Sequence, residues 1–230
     1  MILYTLLYIN IISNTMNIKN NLILALDVGS ESEAIEICDS IKDYIDTIKI
    51  GYPLALAEGL EIINKLKDKF GFQVICDFKV ADIDATNSKI CDETFKAGAD
   101  AIICHGFVGS DSVQACLDVA NKYEKELFLL TEMSHPGAKM FLQKNADAIA
   151  QMGVDMGITN YVAPATRLDR LADIRRIVGK DAYIISPGVG KQGGDGKKTL
   201  EISNAIIVGR SIYESDNPKE ACKELINSLD

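Results

Sequence analysis

The sequence has few histidines and lacks the cysteine patterns that build zinc sites and disulfide frameworks. It contains no tryptophan and only two histidines, His105 and His135, so a histidine-rich metal site is excluded. The six cysteines are scattered and form no C-x-x-C pair. That pattern is typical of buried thiols in a reducing compartment rather than of disulfides or a zinc site. We therefore expect a cytoplasmic protein.

Positive charge is also scarce. Lysine and arginine total 24 against 33 aspartates and glutamates, which gives a formal net charge of −9. An acidic surface of this kind is unfavourable for binding nucleic acid or an anionic membrane, so we expect neither as a partner. A local anion site is still possible, because backbone N–H groups and one or two cationic side chains are enough to form one.

The first fifteen residues, MILYTLLYINIISNT, differ from the rest of the chain. They are apolar but too short to span a bilayer. They also lack the basic start and the small-residue cleavage site of a signal peptide. We expect Met16 to be the natural start, with residues 1–15 an extension outside a single catalytic domain that covers residues 16–230. N-terminal sequencing of the native protein tests this expectation.

From residue 21 onward, short apolar runs alternate with longer amphipathic segments. Strands are predicted at 22–26, 47–50, 73–76, 100–104, 127–130, 160–163, 182–186 and 205–208. Helices are predicted at 32–44, 53–69, 84–97, 110–123, 139–156, 166–178, 196–202 and 218–228. Eight such units of about 25 residues each indicate a single-domain α/β fold, the (β/α)₈ or TIM barrel. An open doubly wound sheet is the competing fold, but no G-x-G-x-x-G follows the first strand.

Charged residues gather where the first three predicted strands end, which is the catalytic face of such a barrel. Asp77 and Lys79 are two residues apart, so on a strand they point to the same side. Lys49 and Asp27 come from neighbouring strands and should converge on the same rim, with Asp82 at the following turn. We interpret this alternating array as catalytic.

Three other interpretations of the array are open. Asp82 or Asp84 could be the N-cap of the next helix. Asp77 and Lys79 could form an ordinary salt bridge at the rim. Asp27, Asp77 and Asp82 could bind magnesium, although the interleaved lysines already supply the positive charge that the ion would bring.

The second informative segment, PGVGKQGGDG, covers residues 187–196 and follows the seventh strand. Its glycines allow the backbone to approach a ligand closely. Gly209 and Arg210 end the eighth strand, and the loops after strands 7 and 8 are the usual phosphate site of the barrel. Arg210 can bind a phosphate through two parallel hydrogen bonds. The sequence therefore predicts a phosphorylated small molecule in the barrel mouth.

Six motifs together resemble the orotidine 5′-monophosphate decarboxylase family, of the short microbial type. They are DFKVAD at 77–82, LALD at 24–27, KIGYP at 49–53, SHPG at 134–137, PGVGKQGGD at 187–195 and VGR at 208–210. The resemblance covers the chain from about residue 21 to its end. The D-x-K-x-x-D pattern alone is shared with sugar-phosphate decarboxylases and aldolases of the same superfamily.

The resemblance implies that orotidine 5′-monophosphate is converted to UMP and CO₂ in pyrimidine synthesis, with no metal and no organic cofactor. It implies that Lys79 stabilises the negative charge left on C6 of the pyrimidine and then protonates that carbon. Asp77 would lie against the substrate carboxylate, and Asp82 and Lys49 would complete the catalytic set.

The resemblance also implies binding roles for further residues. Asp27 and Lys49 would hold ribose hydroxyls, Ser134 would contact the pyrimidine edge and Pro187 would line the base pocket. Gln192 would bridge phosphate and base, and Gly209 and Arg210 would hold the phosphate. Asp82 and Thr86 would be shared across the interface of a homodimer, and Ile83 beside them would contact substrate. His105 and His135 are expected to be structural, each a hydrogen-bonded residue at the rim.

Two other functions are open at this point. One is a magnesium-dependent sugar-phosphate decarboxylase or aldolase on the same scaffold, in which the acids would be metal ligands. The other is a barrel that binds a phosphorylated metabolite without turnover.

Overall fold

Eight parallel strands close into a barrel in the computed structural model, which describes residues 16–229. The strands are β1 (Leu22–Ala25), β2 (Thr47–Gly51), β3 (Gln73–Val80), β4 (Ala101–His105), β5 (Glu126–Leu130), β6 (Asn160–Val162), β7 (Tyr183–Pro187) and β8 (Ala205–Val208). Each strand pairs with the next, and β8 pairs with β1 through Ile206 and Leu22. The predicted (β/α)₈ barrel is confirmed.

Helices connect successive strands and surround the barrel. They are α1 (Glu31–Ile41), α2 (Tyr52–Glu58), α3 (Glu61–Phe70), α4 (Asp84–Lys96), α5 (Ser110–Lys122), α6 (Ala138–Asp155), α7 (Leu168–Val178), α8 (Gly196–Leu200), α9 (Arg210–Tyr213) and α10 (Pro218–Leu229). Short 3₁₀ turns cover Lys19–Asn21 and Gly106–Val108. Within the described residues, no helix is both long enough and apolar enough to cross a bilayer.

Two predicted elements differ from the structure. The single helix predicted over 53–69 is wrong: Gly59 has a φ of +76°, which ends α2 before α3 begins. The third strand runs to Val80 rather than stopping at residue 76, so Asp77 and Lys79 belong to it. The predicted extension, residues 1–15, lies outside the described residues.

The apolar core has two layers because successive strand residues point to opposite faces of the sheet. In β1, Leu22 and Leu24 face the helices, whereas Ile23 and Ala25 face the barrel axis. Most residues of the axial layer are branched or small, including Ile75, Ile103 and Ile185. The barrel is therefore a filled core, and a ligand can enter only at its mouth.

The segment before β1 closes the other end of the barrel. Met16 and Ile18 are buried against the axial layer. Lys19 N–H donates to Asp46 just before β2, and the Gln73 side chain at the start of β3 donates to the carbonyl of Asn17. These contacts join the amino-terminal ends of three strands.

Ile18→Ala should lower the free energy of unfolding by about 2–4 kcal/mol, because it leaves a cavity under the axial layer. Leu56→Ala, at a side chain that is 80% exposed, should change it by less than about 0.5 kcal/mol. Urea denaturation of both variants checks this. Since Ile18 lies at the end of the barrel opposite the mouth, substrate affinity should not change. Equal stability of the two variants would contradict the closing role of Ile18.

Candidate functional site

A pocket opens at the carboxyl ends of the strands, as the fold predicts. Its floor consists of apolar residues of the axial layer, among them Ile103, Leu130 and Val162. Nine of the twelve predicted site residues line it: Asp27, Lys49, Asp77, Lys79, Ser134, Pro187, Gln192, Gly209 and Arg210. The pocket thus has an apolar base, one charged wall and one glycine-rich wall.

Asp77 is the centre of the charged wall. Its Oδ1 is 2.8 Å from the Lys79 ammonium and its Oδ2 is 2.9 Å from the Lys49 ammonium. Lys49 is also 3.6 Å from Oδ1 of Asp27. Asp77 and Lys49 are both buried, at 8% and 5% exposure. Four of the five side chains in the predicted array thus form a continuous chain of alternating charge, and Asp82 is not part of it.

The two buried members of this chain have shifted pKa values. Burial alone would raise the pKa of Asp77, but the charges of Lys49 and Lys79 outweigh it, and the pKa lies below its usual value. Burial alone would lower the pKa of Lys49, but Asp77 and Asp27 outweigh it, and that pKa lies above its usual value. Asp77 and Lys49 are therefore both charged at neutral pH.

The backbone beneath Lys79 is irregular. Lys79 has a φ of +42°, in the left-handed region that non-glycine residues rarely adopt. The register between β3 and β4 shifts here, from Cys76 opposite Ile102 to Val80 opposite Cys104. A strained residue of this kind costs about 1–3 kcal/mol and occurs mostly at functional sites. Asp77 and Lys79 share a side as predicted, but through a bulge and not through regular alternation.

Phe78, between the two charged residues, points away from the pocket into the strand–helix layer. Its ring stacks on that of Tyr52, with centroids 5.4 Å apart and planes at 22°. The Tyr52 hydroxyl donates to the carbonyl of Phe78 at 2.7 Å.

The glycine-rich wall is a folded turn. Gly194 N–H donates to the carbonyl of Gly188, and Gly193 N–H donates to that of Gly190. Gly190 has a φ of +80°, and a Cβ there would lie 2.3 Å from the Ser211 hydroxyl oxygen. Lys191 N–H donates to the same hydroxyl. The turn is thus joined to the start of α9, where Arg210 stands exposed at the pocket rim.

One hydrogen bond crosses the pocket mouth. The Ser134 hydroxyl donates to Oε1 of Gln192 at 2.9 Å, which links the loop after β5 to the loop after β7. The sequence predicted both residues for the site, but not their direct contact.

The sequence did not predict the hydrogen bonds that hold the backbone of Ser134. The Thr166 hydroxyl and an Arg167 N–H both donate to the carbonyl of Ser134, at 2.9 and 3.3 Å. Arg167 also pairs with the fully buried carboxylate of Glu132. A glutamate two residues before Ser134 was the available signal, but its partner lies 35 positions further along the chain.

Asp82, Ile83 and Thr86 do not line this pocket. They lie at the start of α4, where Asp82 and Ile83 are exposed and Ile83 is 64% accessible. The N-cap of α4 is Ile83, so the alternative that Asp82 or Asp84 caps this helix is wrong. Asp82 instead accepts a hydrogen bond from the Ile83 N–H.

The two histidines have different environments. His135 is exposed, whereas His105 is buried at the end of β4 and packs edge-on against Phe107. Burial, and secondarily the charge of Lys79, lowers the pKa of His105 to about 4, so its imidazole is neutral at pH 7. Its Nδ1 has no hydrogen-bond partner within residues 16–229, which differs from the expected satisfied histidine.

The arrangement of the acids does not fit a metal centre. In the part of the chain that the structure describes, no three His, Cys, Asp or Glu residues are placed to bind one ion. Both oxygens of Asp77 already contact lysine ammonium groups, and Asp82 lies outside the pocket.

The predicted cysteine state is confirmed, since all six are buried free thiols.

Fold and site together define a class: a (β/α)₈ barrel with a lysine–aspartate array at the ends of β1–β3 and a glycine-rich loop with an arginine after β7 and β8. The comparisons with known proteins narrow this class. The profile of the orotidine 5′-phosphate decarboxylase / HUMPS family matches residues 20–225, and the chain belongs to that family.

Individual relatives agree with the family. The chain is 61% identical over 214 residues to an orotidine 5′-phosphate decarboxylase of Methanosphaera stadtmanae, an alignment that covers 93% of this chain and 99% of the relative. The orotidine 5′-monophosphate decarboxylase of Methanocaldococcus jannaschii, complexed with inhibitor BMP, superposes with a TM-score of 0.87 at 50% identity, covering 91% of this chain and 98% of the other. The orotidine 5′-phosphate decarboxylase of Pyrococcus horikoshii OT3 superposes with a TM-score of 0.83 at 40% identity, covering 90% of this chain and 98% of the other.

Lys49→Met should lower the free energy of unfolding at pH 7 by about 3 kcal/mol, because it removes one partner of a buried ion pair. The loss should shrink as the pH falls below about 5, since Asp77, whose pKa rises without Lys49, takes up a proton in the variant before it does in the parent. Chemical denaturation between pH 3 and 8 checks this.

The matched control is Lys89→Met, at an exposed lysine of α4. Its effect should be small and independent of pH. A Lys49→Met effect that stayed constant from pH 8 to pH 3 would show that the attraction between Lys49 and Asp77 does not hold the site together.

Proposed function

We propose that this site decarboxylates orotidine 5′-monophosphate to UMP and CO₂ by the chemistry of its own side chains, without a metal or organic cofactor. The observation that carries the proposal is the Lys49–Asp77–Lys79 array, which is held on an apolar floor opposite a glycine-rich loop and an arginine. The enzyme is a carboxy-lyase of de novo pyrimidine synthesis.

The substrate would lie across the pocket mouth. Its phosphate would contact the backbone N–H of Gly209 and the guanidinium of Arg210, which stand where this fold binds phosphate. Asp27 and Lys49 would hold the ribose hydroxyls. Ser134, Pro187 and Gln192 surround the space left for the pyrimidine. The reacting carbon would then face Lys79.

Loss of CO₂ leaves an electron pair on C6 of the pyrimidine. The Lys79 ammonium would stabilise that negative charge and then donate a proton to C6. Because its Nζ is 2.8 Å from Oδ1 of Asp77, the ammonium is already oriented before the substrate enters. No solvent reorganisation is then needed when the charge develops.

Asp77 would have a second effect on the substrate carboxylate. Two like charges about 4 Å apart repel by roughly 4 kcal/mol at an effective dielectric constant of 20. That repulsion ends when CO₂ leaves, so it favours the transition state over the bound substrate. Lys49 and Lys79 keep Asp77 ionised, which the effect requires.

Closure of the 187–196 loop would connect the two ends of the substrate. Gln192 belongs to this loop and accepts the hydrogen bond from Ser134. Phosphate binding at the loop would thereby close the mouth over the pyrimidine and use binding energy remote from the reacting carbon.

The magnesium-dependent alternative is not favoured. A metal at Asp77 would compete with both lysine ammonium groups for the carboxylate oxygens, and Asp82 and Asp77 do not line one pocket in the same protomer. A binder without turnover is also a poor fit, because a carboxylate beside the ligand's own carboxylate weakens binding.

We further propose a homodimer in which Asp82 and Thr86 enter the site of the partner subunit, with Ile83 contacting substrate there. The support is their position: they are at the barrel mouth, follow β3 directly and face outward instead of into their own pocket. Ile83 is a large apolar side chain that a second subunit would cover. The buried free thiols suit a location in the cytoplasm.

Lys79→Ala should abolish turnover while UMP binding survives. The loss of orotidine 5′-monophosphate absorbance, followed in EDTA, should be rapid for the parent and at least about 10³-fold slower for the variant, since the variant lacks both the stabilising charge and the proton donor. Calorimetric titration with UMP should give dissociation constants within about tenfold of each other.

Two outcomes would overturn the mechanism or the function. Unchanged turnover in Lys79→Ala would remove Lys79 from the chemistry. An inactive parent that acts on a keto-sugar phosphate once magnesium is added would move the protein to the sugar-phosphate branch of the superfamily.

The shared site predicts complementation between two inactive variants. Lys79→Ala and Asp82→Asn subunits, unfolded and refolded together in equal amounts, should regain activity in about a quarter of the sites, because mixed dimers contain one site with both native residues. Each variant refolded alone is the control. An inactive mixture would show that Asp82 acts within its own subunit.

A further inference from the structure

The end of β2 and the first residue of α2 contact two successive residues of β3, Asp77 and Phe78. Lys49 of β2 pairs with the side chain of Asp77, and Tyr52, three residues further on, donates its hydroxyl proton to the carbonyl of Phe78. The backbone pairing between the two strands ends with Gly51 opposite Asp77. The Tyr52 hydroxyl therefore continues the ladder by one step with a side chain.

That step falls on the bulge that carries Lys79. Between the paired positions Cys76 and Val80, β3 has three residues where β4 has one, and Lys79 has its φ of +42° within this stretch. On the far side of the bulge, the Cys104 thiol donates to the carbonyl of Val80 at 3.4 Å. Side-chain donors thus bind the carbonyls on either side of the strained residue.

Tyr52 also fixes the ring of Phe78. The two rings stack at 5.4 Å, and Phe78 is only 5% exposed while Tyr52 is 51% exposed. Because half of Tyr52 stays in water, its contribution to the core is limited. Its two specific contacts, the hydrogen bond and the stack, both go to the residue between Asp77 and Lys79.

We propose that Tyr52 is a positioning residue for the reaction: it holds the bulge of β3 in the conformation that places the Lys79 ammonium against Asp77 and the reacting carbon. This inference rests on the proposed function for its kinetic consequence, but its structural content does not. Tyr52 itself lies outside the pocket lining and touches no reacting atom.

Removing the hydroxyl alone separates positioning from packing. Tyr52→Phe keeps the stack on Phe78 and removes the donor to its carbonyl. The bulge can then relax toward an ordinary strand conformation, which moves the Lys79 ammonium. A misplacement of about 1 Å can cost up to 10²-fold in rate.

Tyr123→Phe is the matched control. The Tyr123 hydroxyl donates to Asp92 at 2.8 Å, close to the 2.7 Å of the Tyr52 hydrogen bond, but it joins the outer helices α4 and α5. Each variant loses one tyrosine hydroxyl and retains its ring. The free energies of unfolding of the two variants should therefore fall by similar amounts, and only Tyr52→Phe should slow the decarboxylation step.

The experiment measures the single-turnover rate with orotidine 5′-monophosphate, the affinity for UMP, the melting temperature and the crystal structure of each variant. Tyr52→Phe should slow the single turnover by about tenfold or more, which corresponds to ~1.4 kcal/mol of barrier, with UMP affinity within about twofold of the parent. Its Lys79 should leave the left-handed region or separate from Asp77. Tyr123→Phe should show none of these changes.

Two results would overturn the inference: an equal effect of the two variants on the turnover rate, or a Tyr52→Phe structure in which Lys79 keeps its backbone conformation and its contact with Asp77. If the parent itself fails to decarboxylate the substrate, the proposed function is wrong. The structure of Tyr52→Phe then still decides whether Tyr52 holds the bulge.

Discussion

The burial of Asp77 between two lysine ammonium groups is the constraint on which the site depends. Removing a carboxylate from water costs several kcal/mol, and this cost is offset only when the partners have good geometry. Each Asp77 oxygen contacts its own lysine. Because two lysines face one aspartate, the second negative charge comes from Asp27, which lies beside Lys49. The formal charges of the four side chains sum to zero. The array can therefore sit on the apolar floor of the barrel, where electrostatic effects are stronger than in water.

The closed barrel makes this arrangement possible. Asp27 follows β1, Lys49 lies on β2 and Asp77 lies on β3, and these three strands are neighbours whose ends meet at one rim. The fit is close, because a Cβ on Gly51 would lie 2.4 Å from Oδ1 of Asp27 and would displace that carboxylate. Bringing these side chains together is also accompanied by backbone strain at Lys79. That strained conformation persists because the surrounding barrel holds the residue in place.

Much of this could be predicted from the sequence, because the relevant signals are local. Eight apolar runs with amphipathic segments between them determine the barrel, and the barrel determines which strand ends meet. Nine predicted residues then line one pocket. The helix break at Gly59 was missed because the apolar spacing of α2 and α3 continues across it.

The remaining features depend on information that a local pattern does not contain. The bulge at Lys79 arises from a register shift against β4, which alternation within β3 cannot indicate. The tie from Glu132 to Arg167 joins two loops that are distant in sequence. Asp82 does not line its own pocket, and its role in the proposed homodimer depends on a second chain, which a pattern within one chain does not describe.

The two ends of the site differ in burial and in internal pairing, and that difference suits the proposed reaction. The charged end is built from buried strand residues that pair with one another before any ligand enters. The proposed phosphate end is built from an exposed turn in which three glycines have positive φ, and the Ser134–Gln192 hydrogen bond joins it to the loop on the other side of the mouth. Low local stability is expected of a segment that must open to admit the substrate. In the proposed reaction, the loop would close on the phosphate, a group that does not react, while Lys79, which would meet the developing carbanion, is held on a strand.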